Sequence, residues 1–572
     1  MGTRRVSIRC WSTPSNAMIS FDAAHQAIHY PPDRRFRIWI KPSFIAVASC
    51  LALLPLLLAW GQAAFFGLPH IPPVLQFDEL SPSGPHGFPL WLRYSHFFNF
   101  VFLMMLIRSG LSILFDHPRL YFNNGCTPGT EWIRFTPLTV PRDRVWTAND
   151  DDRYISPLFA LPGYRHTVGV ARSWHFINIY GFILTGVIFI TLLLATEQWR
   201  RLVPSSGVVL TQAWSIFVDY ADFRFPPEPD GFYGYNALQQ LVYFGMVFVF
   251  GPLSILTGIS MSPALVNRFA WFPRMFGGRQ ASRSIHFLLM TGYLAFIVAH
   301  VTLVALTGFA RNMNHIVLGT DDRSHLGMIL GFVGIAMVMA SWIAAHYISW
   351  SFPRALQHIQ KALSQPLRLA TLNRLAPSER YTNEQISPYF WPNGEMPERE
   401  DWKRLAATGF HGYKLKVGGL VESPVELSLS ELEALGKAEF ITMHHCIQGW
   451  SGIARWGGVP MKNLIDLVKP KPAAKAVAFF SFGGSPYGGS YYDTQSLENV
   501  LRPECLLASE MNGAPLPAVY GAPLRLRVEN QLGYKMVKWI ERIEFIESEK
   551  QVGKGEGGTK EDDEYFDLLP NI

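Results

Sequence analysis

Long apolar stretches fill the first two thirds of the chain. Six of them reach the roughly 20 residues that a helix needs to cross a bilayer. They run at about 42–66, 96–115, 174–195, 236–260, 285–309 and 328–350. Arg108 interrupts the second stretch, and because a cation is costly in lipid we expect it to face the bundle interior or the membrane surface. The pattern predicts an all-α transmembrane bundle at residues 42–350.

The hydrophobic pattern changes after about residue 351. Residues 351–400 are polar and proline-rich, which predicts a connector. From 401 to 548, short β-type runs alternate with Gly and Pro turns, as in a soluble α+β domain that is mostly β. The charged, glycine-rich residues 549–572 are typical of a flexible tail. The sequence therefore predicts a multi-domain protein in which the soluble domain follows the membrane bundle.

One short helix is predicted inside the soluble domain. It covers residues 428–437, and Ser428 or Ser430 can accept a hydrogen bond from its first free N–H groups.

The composition agrees with a membrane protein. Hydrophobic residues make up 49% of the 572 residues and charged residues 16%, whereas a soluble domain carries about 25% charged residues. The net charge is only +6, and the arginines of the bundle lie in its loops, so we expect no nucleic-acid partner. Five scattered cysteines without a CxxC pair give neither a disulfide framework nor a zinc site.

The basic residues are distributed unequally between the two sides of the bundle. Three segments on one side, 1–41, 116–173 and 261–284, hold 18 Lys and Arg residues, against 6 in the loops 67–95, 196–235 and 310–327. Cytoplasmic loops carry the excess of Lys and Arg. We therefore expect the N-terminal segment 1–41 and, after six spans, the C-terminal domain to be cytoplasmic.

Four histidines lie near the ends of the predicted spans: His96, His175, His286 and His300. His286 and His300 share one helix, and 14 residues separate them by about 21 Å along the axis, one near each membrane surface. Antiparallel packing puts His96 level with His300, and His175 level with His286. Neutral imidazole is an axial ligand of haem iron, so two bis-histidine sites are predicted. The alternative is that each histidine is interfacial or hydrogen-bonded in the core.

Four segments, three of which contain these histidines, resemble the core helices of the bacterial cytochrome b561 family: RYSHFFNFVF, ARSWHFINIYGFILTG, YNALQQLVYFGMVFVFGPLSILTGISMSPA and RSIHFLLMTGYLAFIVAHVTLVALTGF. The resemblance covers about residues 90–310. It implies two b haems held by His96, His175, His286 and His300. The first and sixth spans are extra to this four-helix core.

The soluble domain contains a single cysteine in an unusual setting, Cys446 in ITMHHCIQGWSGIARWGGVP. A thiolate there can act as a nucleophile or as a ligand for a soft metal, although on spacing alone a buried free cysteine is the commoner outcome. Downstream, Lys535, Lys538 and Arg525 can hold a phosphate, and Gly533 permits close approach of a ligand. Basic residues at strand ends are common, so this second signal is weak by itself.

Together these segments resemble the molybdopterin-binding domain of the sulfite oxidase family, in the branch of the bacterial methionine sulfoxide reductase catalytic subunit. GFHGYKLKVGGLVESPVELSLSEL, HHCIQGWS, WGGVP, GAPLRLRV and GYKMVKWI carry the likeness over about residues 385–548. It implies that Cys446 binds molybdenum. The residues implied to contact the molybdopterin are Asn393, Ser481, Arg525, Gly533, Tyr534 and Lys535. Tyr520 departs from the Asn or His that relatives often carry before GAP.

The two resemblances imply a molybdenum oxidoreductase of the bacterial inner membrane that exchanges electrons with quinone or quinol through two b haems. We expect it to reduce an S-oxide or similar oxo substrate, either a small molecule or a protein side chain. The alternatives are a quinone-reducing dehydrogenase of sulfite oxidase type, and an electron-transfer module that binds a partner and performs no substrate chemistry. A homodimer is also open.

Overall fold

We describe the chain from a computed structural model. The described residues are 6–9, 18–21, 37–67, 87–137, 140–141, 144–153, 155, 158–161, 167–225, 230–372, 375, 380–485 and 487–572. Most of the predicted N-terminal segment and part of the predicted connector lie outside them. Strands β1 (Val6–Arg9) and β2 (Met18–Phe21) pair antiparallel.

The membrane bundle contains all six predicted spans. Within the described residues six helices are long and apolar enough to cross a bilayer. They are α1 (Pro42–Phe66), α2 (Leu90–Asp116), α3 (Thr167–Ala195), α5 (Ala237–Ser260), α6 (Arg279–Leu306) and α7 (Leu326–Ser351), with the shorter α4 (Val208–Ala221) before α5. Arg108 faces inward as expected: its side chain is buried and donates to the carbonyls of Ala160 and Trp342.

The loop between α2 and α3 forms a small folded layer on the bundle. Short strands β3 (Trp39–Ile40), β4 (Arg119–Leu120) and β5 (Ile133–Arg134) form its sheet, in the order β3-β5-β4. Beneath it the buried Arg119 guanidinium pairs with Glu131 at 2.8 Å and Asp151 at 2.7 Å. Burial alone would raise the pKa of Asp151, but the Arg119 charge overrides it and holds this pKa below its ordinary value.

The soluble domain consists of two five-stranded sheets around one hydrophobic core. The first has the order β11-β10-β15-β6-β7, in which only β15 and β6 are parallel, and the second has the order β13-β12-β9-β8 with β14 beside β12. The strands are β6 (Lys414–Gly419), β7 (Val425–Ser428), β8 (Ala438–His445), β9 (Ser451–Pro460), β10 (Ala476–Gly484), β11 (Ser490–Ser496), β12 (Leu506–Met511), β13 (Ala514–Pro515), β14 (Arg525–Arg527) and β15 (Ile540–Ile546). The predicted mostly-β fold is confirmed.

The predicted short helix is also present. It covers Leu429–Glu433, and Ser428 caps it by accepting a hydrogen bond from the N–H of Glu431. The helix ends at Glu433 and is therefore shorter than the expected 428–437. Gly436, three residues later, has a positive φ of 105°, a backbone conformation that commonly follows the end of a helix.

Two segments differ from the expectation drawn from their polar composition. Residues Pro353–Ala370 form helix α8, which packs along α3 and buries Gln357 and Gln360. The C-terminal residues, for which we expected flexibility, pack in turn against α8. Gln357 donates to the carbonyl of Phe566 at 2.7 Å, and Arg368 donates to the carbonyl of Leu569 at 2.6 Å. The end of the chain thus joins the soluble domain to the bundle.

Candidate haem and metal sites

The four histidines form the two pairs that the sequence predicts. The ring centres of His96 and His300 are 6.3 Å apart, and those of His175 and His286 are 6.5 Å apart. Two imidazoles that each bind one metal through a bond of about 2 Å have ring centres about 6 Å apart. Each pair therefore has the separation that axial ligation of one iron requires.

Hydroxyl groups orient the pair nearer the soluble domain. Ser109 Oγ lies 3.0 Å from His175 Nδ1, and Thr257 Oγ1 lies 3.0 Å from His286 Nδ1. Both hydroxyls already donate to backbone carbonyls of their own helices, Met105 at 2.8 Å and Leu253 at 2.7 Å. They are thus free to accept a hydrogen bond from each Nδ1–H. That arrangement protonates Nδ1 and leaves the Nε2 lone pair for a metal.

Small and aromatic side chains shape the space around the histidines. A Cβ on Gly110 would lie 3.7 Å from the His175 ring, and one on Gly258 would lie 3.6 Å from the His286 ring. In the other pair Phe296 stacks on His300 with ring centres 5.4 Å apart, and Tyr243 OH lies 3.4 Å from His300 Nδ1. Small and aromatic residues therefore pack around both histidine pairs.

Cys446 lies in the tight turn between β8 and β9. The Cys446 N–H donates to Trp450 O, and the Gly449 N–H donates to Cys446 O, each at 3.1 Å. Gly449 has a φ of +106°, which favours glycine. The Cys446 side chain is buried, and burial raises the pKa of its thiol to about 12. In the absence of a metal the Cys446 sulfur therefore keeps its proton at neutral pH, whereas a bound metal would displace that proton.

Two amide side chains lie next to the Cys446 sulfur. Asn393 Nδ2 is 3.8 Å from Sγ, so the structure brings this predicted residue to the cysteine. Gln448 Oε1 is 3.6 Å from Sγ, and its Nε2 donates to Asn149 of the membrane-side loop at 3.2 Å. Gln448 was not among the residues expected from the sequence, in which its position two residues after the cysteine was the only signal.

A buried cationic pocket lies beyond Asn393. Arg525 donates to Tyr520 O at 3.0 Å, while its Nε has no hydrogen-bond partner within the described part of the chain. Lys538 donates to Val519 O at 3.0 Å and to Asn393 O, and Ser481 Oγ donates to Lys538 O at 2.7 Å. Burial lowers the pKa of Arg525 to about 9 and also lowers that of Lys538. Among the described residues no carboxylate forms an ion pair with either cation, so an anionic group such as a phosphate fits here.

Lys535, in contrast, points away from this pocket. Its Nζ lies 2.6 Å from Asp493 Oδ1 and 2.5 Å from Glu561 Oε1, and it donates to Gly557 O at 3.1 Å. Because two buried carboxylates already neutralise Lys535, the structure gives no support to the expected phosphate contact. Lys538, three residues later, is the lysine that joins Asn393, Ser481 and Arg525.

The neighbours of Lys535 in the sequence also have structural contacts. A Cβ on Gly533 would lie 2.3 Å from the His444 ring, so glycine is needed there for close packing. Tyr534 OH donates to Asp567 O in the C-terminal segment at 2.6 Å. Neither contact involves the cationic pocket.

Comparison with known proteins assigns both halves of the chain. Residues 87–318 match the family described as "Prokaryotic cytochrome b561", and residues 404–553 match the "Oxidoreductase molybdopterin binding domain". The first match contains all four paired histidines, and the second contains Cys446, Ser481, Arg525 and both lysines.

Curated relatives each match a part of the chain. The "Putative protein-methionine-sulfoxide reductase subunit YedZ1" of Azospira oryzae is 35% identical over 171 residues, 30% of this chain and 61% of the relative. The "Protein-methionine-sulfoxide reductase catalytic subunit MsrP" of Xanthomonas axonopodis pv. citri is 36% identical over 145 residues, 24% of this chain and 45% of the relative. The chain thus spans about half the length of the curated relatives that it matches.

Among solved structures, the sulfane dehydrogenase SoxCD from Paracoccus pantotrophus is 23% identical, with 24% of this chain and 38% of that chain covered and a TM-score of 0.22. This likeness is too partial to bear on function.

The paired histidines and the buried cysteine turn therefore lie in two recognised modules, and the chain joins a prokaryotic cytochrome b561 domain to a molybdopterin-binding oxidoreductase domain.

Proposed function

We propose that this chain is a membrane-bound molybdenum oxidoreductase that takes electrons from quinol through two b haems and reduces an S-oxide or a similar oxo substrate. The observation that carries the proposal is the position of the Cys446 turn, which packs against the membrane helix α6 that also bears His286. The curated relatives named above, whose printed names refer to protein-methionine-sulfoxide reductase, support an S-oxide as the substrate class.

The residues of the soluble domain have distinct parts in this proposal. Cys446 would bind the molybdenum, and Asn393, Ser481, Arg525 and Lys538 would hold the anionic end of the molybdopterin. Molybdenum supplies two-electron oxo transfer when it is bound. The protein orients the group, excludes water from the buried turn and neutralises its charge.

The residues of the bundle would carry the electrons. His175 with His286, and His96 with His300, would each hold one haem iron through Nε2. The two sites lie at different depths because 14 residues of α6 separate His286 from His300, about 21 Å of helix. Quinol would deliver its electrons singly to this pair of haems.

The catalytic proposal is tested by removing the thiol. In Cys446→Ala we expect molybdenum and quinol-driven reduction of dimethyl sulfoxide or methionine sulfoxide to be lost, while both haems remain, because only the metal ligand is missing. Metal analysis, absorption spectra and activity measure this. Cys505→Ala is the matched control, since Cys505 is equally buried in the hydrophobic core. A Cys446→Ala protein that retains molybdenum would sink the proposal.

The haem assignment is tested one histidine at a time. His286→Leu and His300→Leu should each reduce the haem content from two per chain to one, because each removes an axial ligand of a different iron. Haem extraction with spectroscopic titration measures the count. His358→Leu, at a half-exposed position outside the bundle core, should retain both. Two separate sites are contradicted if neither variant loses a haem, or if each variant loses both haems.

Variants of the two lysines distinguish a role in cofactor binding from a role in folding. Lys538→Met should lose molybdopterin while the domain stays folded, because it removes one buried cation from the proposed phosphate pocket. Lys535→Met should lower the free energy of unfolding by roughly 3 kcal/mol or more, because Asp493 and Glu561 lose their shared cation. Pterin content and thermal unfolding distinguish the two. The assignment of Lys538 is wrong if the Lys535 variant is the one that folds normally and lacks the cofactor.

We further infer that the molybdopterin domain is on the cytoplasmic side of a bacterial inner membrane, because the basic residues are concentrated in the loops on that side. A protease-sensitive tag at the C-terminus should be cleaved in inverted vesicles and protected in right-side-out vesicles. Cleavage in the right-side-out preparation alone would reverse the orientation.

A further inference from the structure

The first turn of α6 has a charge pattern that its own helix does not explain. The first five residues of α6 include Arg279 and Arg283, and its first turn has no acidic residue, although a helix N-terminus already has a partial positive charge and is destabilised by cations. Both arginines are buried. In the described part of the chain neither forms an ion pair with a carboxylate, and each donates to backbone carbonyls instead, Arg279 to Met261 O at 3.0 Å and Arg283 to His117 O at 2.7 Å. Positive charge at this position suits an anionic neighbour.

The neighbour of this part of α6 is the turn of Cys446, which Arg279 contacts through the backbone of the turn. Arg279 Nη1 donates to Gly449 O at 3.0 Å, and Gln280 Nε2 donates to the same oxygen at 2.9 Å and to Ser451 Oγ at 3.2 Å. The Arg283 guanidinium lies against Gly449, where an added Cβ would be 3.3 Å from its Cζ. Gly449 in turn donates its N–H to Cys446 O. Three side chains of one helical turn thus hold the turn of the proposed metal ligand.

The same helix carries a proposed iron ligand two turns further on. Six residues separate Gln280 from His286, about 9 Å along the axis. The proposed iron site is therefore joined to the cysteine turn by one helix and by the hydrogen bonds that Arg279 and Gln280 donate to that turn.

We propose that the first turn of α6 is the electron bridge between the haem of His175 and His286 and the metal on Cys446, with Gln280 as its coupling contact and Arg279 and Arg283 as positioning residues. This rests on the proposed function. Quinol loses two electrons and two protons and becomes quinone. His175 and His286 would hold the haem that passes these electrons on one at a time, Cys446 would hold the metal that accepts both, and the two protons would leave to water.

The test uses full-length protein with both cofactors in lipid nanodiscs, mixed with excess short-chain quinol and no substrate. Stopped-flow absorption follows haem reduction, and freeze-quench electron paramagnetic resonance follows the molybdenum signal. In Gln280→Leu, haem reduction should keep its native rate while the molybdenum signal appears several-fold later, because the contact that Gln280 makes with Gly449 O is lost. The midpoint potentials of both centres should be unchanged. A slower electron transfer then reflects weaker coupling between the centres and not a smaller driving force.

Gln240→Leu is the matched control. Gln240 is also a buried glutamine near the start of a membrane helix, but it donates to Arg201 O at 3.2 Å. It should leave both signals at native rates. If Gln280→Leu fails to assemble, Gln280→Asn gives the same test, because its amide is one carbon too short to reach Gly449 O.

The possible outcomes distinguish failure of the proposed bridge from failure of the proposed function. Molybdenum reduction at the native rate in the Gln280 variant overturns the bridge and leaves the proposed function intact. Native protein in which quinol reduces the haems but never the molybdenum overturns the proposed function, and the bridge with it.

Discussion

Hydroxyls on two neighbouring helices hold the imidazoles of His175 and His286, the pair that we propose to bind one iron nearer the soluble domain. Ser109 and Thr257 donate their own protons to backbone carbonyls, so they accept from His175 and His286 and direct the opposite ring nitrogens towards each other. This constraint fixes the depth of the site in the membrane. Helix α6, which carries His286, also contacts the cysteine turn through Gln280.

The membrane half was largely predictable from the sequence because its main features depend on positions along single helices. Apolar length gives the spans, and residue counts along a helix give depth, so the pairing of His96 with His300 follows from their positions in the chain. Helix α8 was not predicted, because its face towards α3 is polar: Gln360 Oε1 accepts a hydrogen bond from Ser173, and Ser364 Oγ from Tyr180. The apolar side chains of α8, such as Ile359, Leu363 and Leu367, are exposed instead, so the face that packs is not the one that an apolar stripe would mark.

The cofactor pocket was less predictable, because its electrostatics depend on distant residues. Lys535 and Lys538 look equivalent in the sequence. Only the fold brings Glu561 from the C-terminal segment to Lys535 and leaves Lys538 beside Arg525. The ordering of the C-terminal segment has the same origin, since its acidic residues face buried cations and its backbone accepts from α8. The cysteine turn could be located from the sequence. The net charge around each lysine could not, because it depends on residues that only the tertiary structure brings together.

The central claim is that one chain holds the molybdenum close to the haem of His175 and His286. The most direct measurement is the relaxation rate of the paramagnetic molybdenum signal, recorded with that haem oxidised and with it reduced. Ferric low-spin haem is paramagnetic and ferrous low-spin haem is not, so a haem bound near the cysteine turn should speed the relaxation only when it is oxidised. We predict this dependence in the native protein and its loss in His286→Leu. A relaxation rate that is the same in both haem states would contradict the account.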